Sequence, residues 1–325
     1  MGTPIIALCP GQGAQAVGMG RAWSEASAEA RHVFEVADKV MGSRLGQPLS
    51  QLCFSGPSER LNQTDASQPA IFACSVASWR GMLARWNMGE HDVPLAATSG
   101  LSLGEYTALH LAGSISFEDG LELVALRGQA MHDATLTPES KAGGGSGMVA
   151  LVGADEEKAQ QLCDDARGQE VLVCANFNAP GQIVLSGHKS ACKRVLDLAG
   201  KAGVRATELA VSGAFHSPLM SPAAERLHEA LSRTPVRKPR TMVVSNVTGL
   251  PHEPHAGVDE PEAWGRSIRD RLKQQLVSPV RWAQSMAWKA GKIKGHYHEL
   301  APGKTLAGLM RRIERSIQVE THDEP

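Results

Sequence analysis

The chain carries no surplus of either charge sign: across 325 residues Lys plus Arg number 33 and Asp plus Glu number 34. That balance gives no global field for nucleic acid or for a membrane surface, so any charged partner must be met by a local patch. No apolar run reaches the length needed to span a bilayer. The 6 cysteines, Cys9, Cys53, Cys74, Cys163, Cys174 and Cys192, include no C-x-x-C pair and lie mostly among apolar residues. They read as reduced, buried thiols of a cytoplasmic protein. Met1-Gly2-Thr3-Pro4 lacks the basic segment of a secretory leader, and no internal repeat is present. What is there is ordinary globular material, 42% hydrophobic and 21% charged, enough for one large domain or two unequal ones.

The stretch that organises the chain is Gly100-Leu101-Ser102-Leu103-Gly104-Glu105. A short apolar segment at 93–98 precedes it and reads as a buried strand. A helix at 106–112, closed by Gly113, follows. G-x-S-x-G between strand and helix is the pattern of a nucleophile elbow. The glycines remove side chains where the two segments crowd, and the turn holds the serine hydroxyl at a helix N-terminus, where negative charge is favoured. The alternative at this point is a Gly-rich turn with an idle serine.

Elsewhere the pattern alternates strand and helix. Residues 5–9 read as a parallel strand covered on both faces, ending in the turn Pro10-Gly11-Gln12-Gly13-Ala14-Gln15. Helices are expected over 22–42 and 68–86, the second with Pro69 near its start, where proline is tolerated. Ser116 and Asp119 fit a capping box that opens a helix through Met131. Residues 143–147, Gly-Gly-Gly-Ser-Gly, read as a linker. Beyond it come strand 148–152, helix 155–167, strands 171–175 and 182–186 around the turn Asn178-Ala179-Pro180-Gly181, helix 189–202 and strand 205–210. That βαββαβ order is ferredoxin-like. The fold class is therefore α/β: a large domain with a parallel sheet, residues 1–140 and 211–325, carrying an inserted small domain at 141–210. The chain returns to the large domain through the polar loop at 212–220. A strand at 241–246, an irregular helix at 258–276, a helix at 281–290, a strand at 296–300 and a helix through Ile313 complete it. Residues 321–325 read as a loose tail.

A serine nucleophile needs a base. Of the 12 histidines, His216 is the best placed, in a Ser/Gly/Pro loop; His110 reads as a packing or surface residue. His296 and His298 alternate along a strand but show no third ligand at a telling spacing, so no metal site is expected. Arg127 shares an apolar helical stripe with Leu123, Leu126, Ala130 and Met131. A guanidinium is rarely buried without an anion, which makes it either half of an internal ion pair or the receptor of a substrate carboxylate. Lys189, Lys193, Arg194, Lys201 and Arg205 cluster on or just after the 189–202 helix, as a solvated face or as a docking patch.

Taken together, Gly11-Gln12-Gly13-Ala14-Gln15, the elbow at 100–105, Leu126-Arg127-Gly128, the run Asn176 to Gln182, Gly213-Ala214-Phe215-His216 and Gly303-Lys304 occur in the order of one family. Over roughly residues 4–315 the chain resembles the malonyl-CoA:acyl-carrier-protein transacylases and is also similar to acyltransferase domains of polyketide synthases, so that a polyketide pathway is the alternative setting. The resemblance implies a hydrolase-like α/β domain with a ferredoxin-like insert, and an enzyme of fatty acid biosynthesis. It implies Ser102 as nucleophile, His216 as its base and the N–H groups of Gln12 and Leu103 as the oxyanion hole. It further implies Arg127 as receptor of the malonyl carboxylate, Gln275 as orienter of His216 through its carbonyl, and Gln68, Met131, Asn178 and Phe215 as pocket residues. Malonyl-CoA and an acyl carrier protein would be its partners, with no metal or redox cofactor. Leu101 stands where the family usually has His, which changes the hydrogen bonding beside Ser102. Leu103 and Phe215 resemble malonyl-selective members rather than methylmalonyl-selective ones. Against this stand a serine thioesterase, which has no need of Arg127, and a non-catalytic assembly subunit, which has no need of an intact Ser102, His216 and Arg127.

Overall fold

The computed structural model describes residues 3–211 and 213–325; Met1 and Gly2 of the N-terminus and Ser212 of the polar loop lie outside the described residues. All five residues of β1 (Ile5–Cys9) are buried, as a strand covered on both faces requires. Helices α1 (Arg21–Ala26), α2 (Ala28–Met41), α3 (Leu49–Ser55) and α4 (Ser58–Leu61) lead to the long α5 (Thr64–Arg85). The elbow lies between β2 (Leu95–Gly100) and α6 (Gly104–Leu111), and α7 (Phe117–Ala134) and α8 (Pro138–Lys141) follow. Next come β3 (Ser146–Val152), α9 (Glu156–Arg167), β4 (Leu172–Ala179), β5 (Gln182–His188), α10 (Lys189–Lys201) and β6 (Arg205–Glu208). The chain closes with α11 (Ser221–Arg233), β7 (Met242–Val244), α12 (Pro261–Gln275), α13 (Trp282–Lys292), β8 (His296–Leu300), α14 (Thr305–Ile313) and β9 (Val319–His322).

The strands form two sheets. One is parallel throughout, in the order β7-β2-β1-β8-β9. The other is antiparallel, in the order β4-β5-β3-β6, which is the ferredoxin-like arrangement. The small sheet and its helices α9 and α10 enclose their own apolar cluster, with Val149, Leu162, Leu185 and Val195 among its members. Its strand β4 is tied to the chain ahead of α13: Phe177 N–H donates to the Val280 carbonyl at 2.9 Å, and Val280 N–H to the Ala175 carbonyl at 2.8 Å. The main core surrounds α5, which is buried nearly all round and packs small residues against its neighbours. No described helix is long and apolar enough to cross a membrane.

Several local expectations are corrected. The helix over 22–42 is broken at Ser27, whose extended backbone ends α1 and whose hydroxyl accepts from Ala30 N–H to open α2. Helix α5 begins at Thr64, so Pro69 lies inside it rather than near its start; burial on all sides holds the helix where propensity alone would not. Ser146 and Gly147 belong to β3, not to a linker, and β4 runs through Ala179, leaving Pro180-Gly181 as the turn. The helix expected to be irregular is the regular α12, preceded by a short 3₁₀ turn at His255–Gly257. The tail at 321–325 is not loose. Thr321 and His322 pair with β8, and Asp323 accepts from Gly303 N–H at 2.6 Å.

Candidate active site

The elbow forms because two backbones meet with nothing between them. A Cβ on Gly100 would lie 1.8 Å from the Gly104 carbonyl carbon, and one on Gly104 would lie 2.1 Å from the Cys9 carbonyl oxygen. Ser102 sits between them at φ +53°, a left-handed conformation costly for a residue with a side chain. The turn is held by Asn246, two residues past β7: its Oδ1 accepts from Ser102 N–H at 2.6 Å and its Nδ2 donates to the Gly100 carbonyl at 2.7 Å. Leu101 N–H donates to the Cys9 carbonyl at 3.1 Å, which brings the first turn of the chain beside the elbow. The Leu101 side chain lines the cavity there and supplies no hydrogen bond beside Ser102.

Ser102 Oγ lies 2.8 Å from His216 Nε2. On the other side of the ring, Nδ1 lies 2.8 Å from the Gln275 carbonyl oxygen. A carbonyl can only accept, so Nδ1 carries the proton and Nε2 is bare to receive the serine proton. Burial, and then the Arg127 charge, push the His216 pKa down to about 4, so the ring is neutral near pH 7. Among the described residues neither Gln12 N–H nor Leu103 N–H donates to a protein acceptor. Both sit in the segments that flank Ser102, with Leu103 immediately before α6.

Arg127 is 1% exposed, and its hydrogen-bond partners are all uncharged. Nη1 donates to Gln68 Oε1 at 2.8 Å, and Nη2 donates to Ser102 Oγ and Gln275 Oε1, both at 3.0 Å. Its Nε has no partner. The alternative of an internal ion pair is not what the structure holds, since no carboxylate pairs with Arg127 among the described residues. The position follows from close helix packing. A Cβ on Gly128 would lie 2.5 Å from the Thr64 carbonyl oxygen, so glycine lets α7 approach the start of α5 and sets Arg127 beside Gln68.

A cavity of about 580 Å³ opens over this group. Of the residues expected at the site, Gln12, Ser102, Met131, Asn178, Phe215 and His216 line it. Leu103, Gln68, Arg127 and Gln275 do not: Leu103 is buried just after Ser102, and the other three lie beneath that serine as its buried support. Gln68 joins the group from below, with Nε2 directed to Met131 Sδ at 3.3 Å. The Gln275 side chain does more than its carbonyl alone, as Nε2 donates to the Ser102 carbonyl at 3.0 Å and to Glu105 Oε2 at 2.7 Å. Glu105 is fully buried, accepts from Asn246 N–H at 3.0 Å, and lies 2.8 Å from His252 Nε2. Sequence reasoning missed Glu105, His252 and Asn246 as supports. The one signal available was an acidic residue in the otherwise apolar opening of α6.

A serine on a strained strand-to-helix turn, a neutral imidazole held by a carbonyl, and two N–H groups without protein acceptors beside an open cavity define a serine acyl-transfer fold of the α/β class. The chain belongs to the acyl transferase domain family, whose model matches residues 7–318. It is 37% identical over 324 residues to the malonyl CoA-acyl carrier protein transacylase of Salmonella typhimurium, covering 99% of this chain and 97% of that one. The crystal structure of malonyl-CoA:acyl carrier protein transacylase from Xanthomonas oryzae superposes with a TM-score of 0.87 at 38% identity, covering 100% of this chain and 96% of the other. A malonyl-transacylase in complex with a type II PKS acyl-carrier protein matches with a TM-score of 0.86 at 33% identity, covering 99% and 97%.

Proposed function

We propose that this protein is an acyl-carrier-protein S-malonyltransferase of fatty acid biosynthesis in the cytoplasm. It moves a malonyl group from malonyl-CoA to the phosphopantetheine thiol of an acyl carrier protein. The observation that carries this reading is Arg127, a buried permanent cation that no carboxylate touches, 3.0 Å from the Ser102 hydroxyl, with Glu105 acting on it only from beyond Gln275. A malonyl carboxylate would supply the missing anion and displace the neutral partners, and guanidinium geometry suits it for two parallel hydrogen bonds.

In the first half-reaction His216 Nε2 takes the Ser102 proton as Oγ attacks the thioester carbon. The oxyanion is received by the N–H groups of Gln12 and Leu103. The C–S bond breaks, CoA leaves with the proton from His216, and a malonyl ester remains on Ser102. In the second half the carrier thiol gives its proton to His216 and its sulfur attacks the ester. Ser102 Oγ leaves and takes the proton back. The two half-reactions share one site, so the kinetics are ping-pong, and the steps need no metal or redox partner. Asn178 and Phe215 shape the acyl pocket in this reading, and Met131 closes it beside Gln68. The separate apolar cluster of the small sheet supports taking residues 141–210 as a domain set into one made of 1–140 and 211–325.

The test is intact-mass spectrometry after mixing with malonyl-CoA. One malonyl adduct should form on Ser102 and be discharged by carrier protein, and Ser102→Ala should form none. Rapid release of free malonate without carrier protein would instead make the protein a thioesterase.

A further inference from the structure

At the outer edge of the parallel sheet, away from the Ser102 cavity, β8 and β9 gather three ligand-type side chains. The parallel register sets His298 opposite Glu320 and Leu300 opposite His322. Side chains alternate with period two and laterally paired residues share a face, so His298, Glu320 and His322 project from the same face. His298 Nδ1 and His322 Nε2 lie 2.9 Å apart. Glu320 reaches both, with Oε2 3.7 Å from His298 Nδ1 and Oε1 3.8 Å from His322 Nε2. One ligand atom from each falls within 4.8 Å of the other two.

We propose that His298 Nδ1, His322 Nε2 and a Glu320 carboxylate oxygen bind a divalent transition-metal cation of the zinc type, with water completing the coordination. With metal–nitrogen distances of about 2.0–2.1 Å, the nitrogen separation of 2.9 Å corresponds to two adjacent ligands at about a right angle. The more distant carboxylate then spans a wider angle. Two imidazoles and a carboxylate select zinc and its neighbours over magnesium and calcium, which prefer oxygen ligands throughout.

The surroundings suit this role. His298 is buried and His322 nearly so, which places both rings out of bulk water beside one another. The Glu320 side chain is 64% exposed and gives the cation a route in from solvent. Trp86 walls the site with its ring edge-on, 5.4 Å from the His298 ring and 6.3 Å from that of His322. Trp23 Nε1 donates to the His322 carbonyl at 2.9 Å, so the ligand strand is anchored from behind. Arg85 is the opposing charge near His322, but it is exposed and screened by solvent. A bound cation would clamp the edge strand β9 to β8. It would raise stability without entering the acyl-transfer steps.

The test uses the full chain stripped by chelator, titrated with zinc chloride by calorimetry, and with cobalt(II) chloride by visible absorption. One equivalent of zinc should bind, the unfolding midpoint should rise, and the malonyl-transfer rate should stay unchanged. His322→Gln should weaken binding by more than about 100-fold, the upper end of what losing a mere outer-shell partner costs. Glu320→Ala, which removes an exposed side chain, should weaken it by about 10-fold or more. No saturable zinc binding by the native chain, or equal binding by Glu320→Ala and native protein, would overturn the proposal.

Discussion

At the scale of single residues, the proposed reaction turns on Arg127 and His216, which act on each other through charge. In the proposed reaction a malonyl thioester would pair the buried guanidinium, and an acetyl thioester would leave it unpaired. Leaving a desolvated charge without its partner costs about 3–5 kcal/mol, and each 1.4 kcal/mol is about a factor of ten. Malonyl-CoA should therefore be preferred over acetyl-CoA by about 10²-fold or more in acylation of Ser102. Arg127→Ala should slow malonyl transfer sharply and narrow that preference, and Arg127→Lys should restore only part of it, because a point charge lacks the planar fork. An unchanged malonyl-to-acetyl ratio in Arg127→Ala would reduce the arginine to a structural role. The same charge acts on His216, whose pKa is lowered to about 4 by burial first and by Arg127 second. Only the neutral ring can take the serine proton, so acylation should fall on the acid side near pH 4 and hold level from about pH 5 to neutrality. In Arg127→Ala one of the two depressing causes is gone. The imidazole should then titrate at higher pH, which NMR of the ring protons would read directly.

At the scale of elements, α10 carries the basic cluster legible in the sequence, and the structure divides it. Arg194 is paired with Glu170 and also donates to the carbonyls of Ala166 and Arg167. Lys189 packs along Gly145 and Gly147. Lys193, Lys201 and Arg205 stay exposed and are the charges left for an acidic carrier protein. Lys193→Glu with Lys201→Glu should weaken transfer to carrier protein by about tenfold or more at low salt, and less at high salt. Acylation by malonyl-CoA should be spared, and stopped-flow measurement of each half-reaction separates the two. Equal losses in both halves would remove the docking role. The elbow is an element of the same kind. Its strand, turn and helix were readable from G-x-S-x-G, but its brace was not. Asn246 comes from the turn after β7 and Gln275 from the end of α12, and both meet Ser102 from far along the chain.

At the scale of the whole molecule, the parallel sheet buries one ammonium group. Lys289 of α13 is fully buried and donates to Ser99 Oγ of β2. Burial pushes its pKa down to about 7, against a smaller opposing effect of Cys9. Below pH 7 the group is protonated in both folded and unfolded chains. Between about pH 7 and its ordinary value of 10.5, the unfolded chain holds a proton that the folded chain has given up, so this group adds stability as pH rises through that window. Lys289→Met should be more stable than the native protein at pH 6. Its advantage should shrink by a few kcal/mol toward pH 10, a loss measurable by urea unfolding at each pH. A constant difference would mean that the amine is not desolvated as the fold implies.

The sequence by itself determined what rests on neighbours along the chain. The elbow needs glycines at 100 and 104 because its two arms meet there. The ferredoxin-like order at 146–208 follows from strand and helix periodicity, and the capping of α7 by Ser116 follows from a local side chain. Only the tertiary structure decided the rest, because it depends on distance across the fold. Pro69 inside α5 is tolerated by burial that no local signal reports. The last residues form a strand because β8 offers them an edge, and that same edge sets Glu320 and His322 beside His298, a grouping that the His296/His298 alternation did not show. The environment of Arg127 was decided last. An apolar stripe announces a buried cation, but whether it meets a carboxylate or is left for a ligand depends on what α5, α6 and α12 bring to it. The amides of Gln68 and Gln275 and the Ser102 hydroxyl take its hydrogen bonds, while the Glu105 carboxylate of α6 stays one amide away, which leaves the fork open to the carboxylate of the proposed substrate.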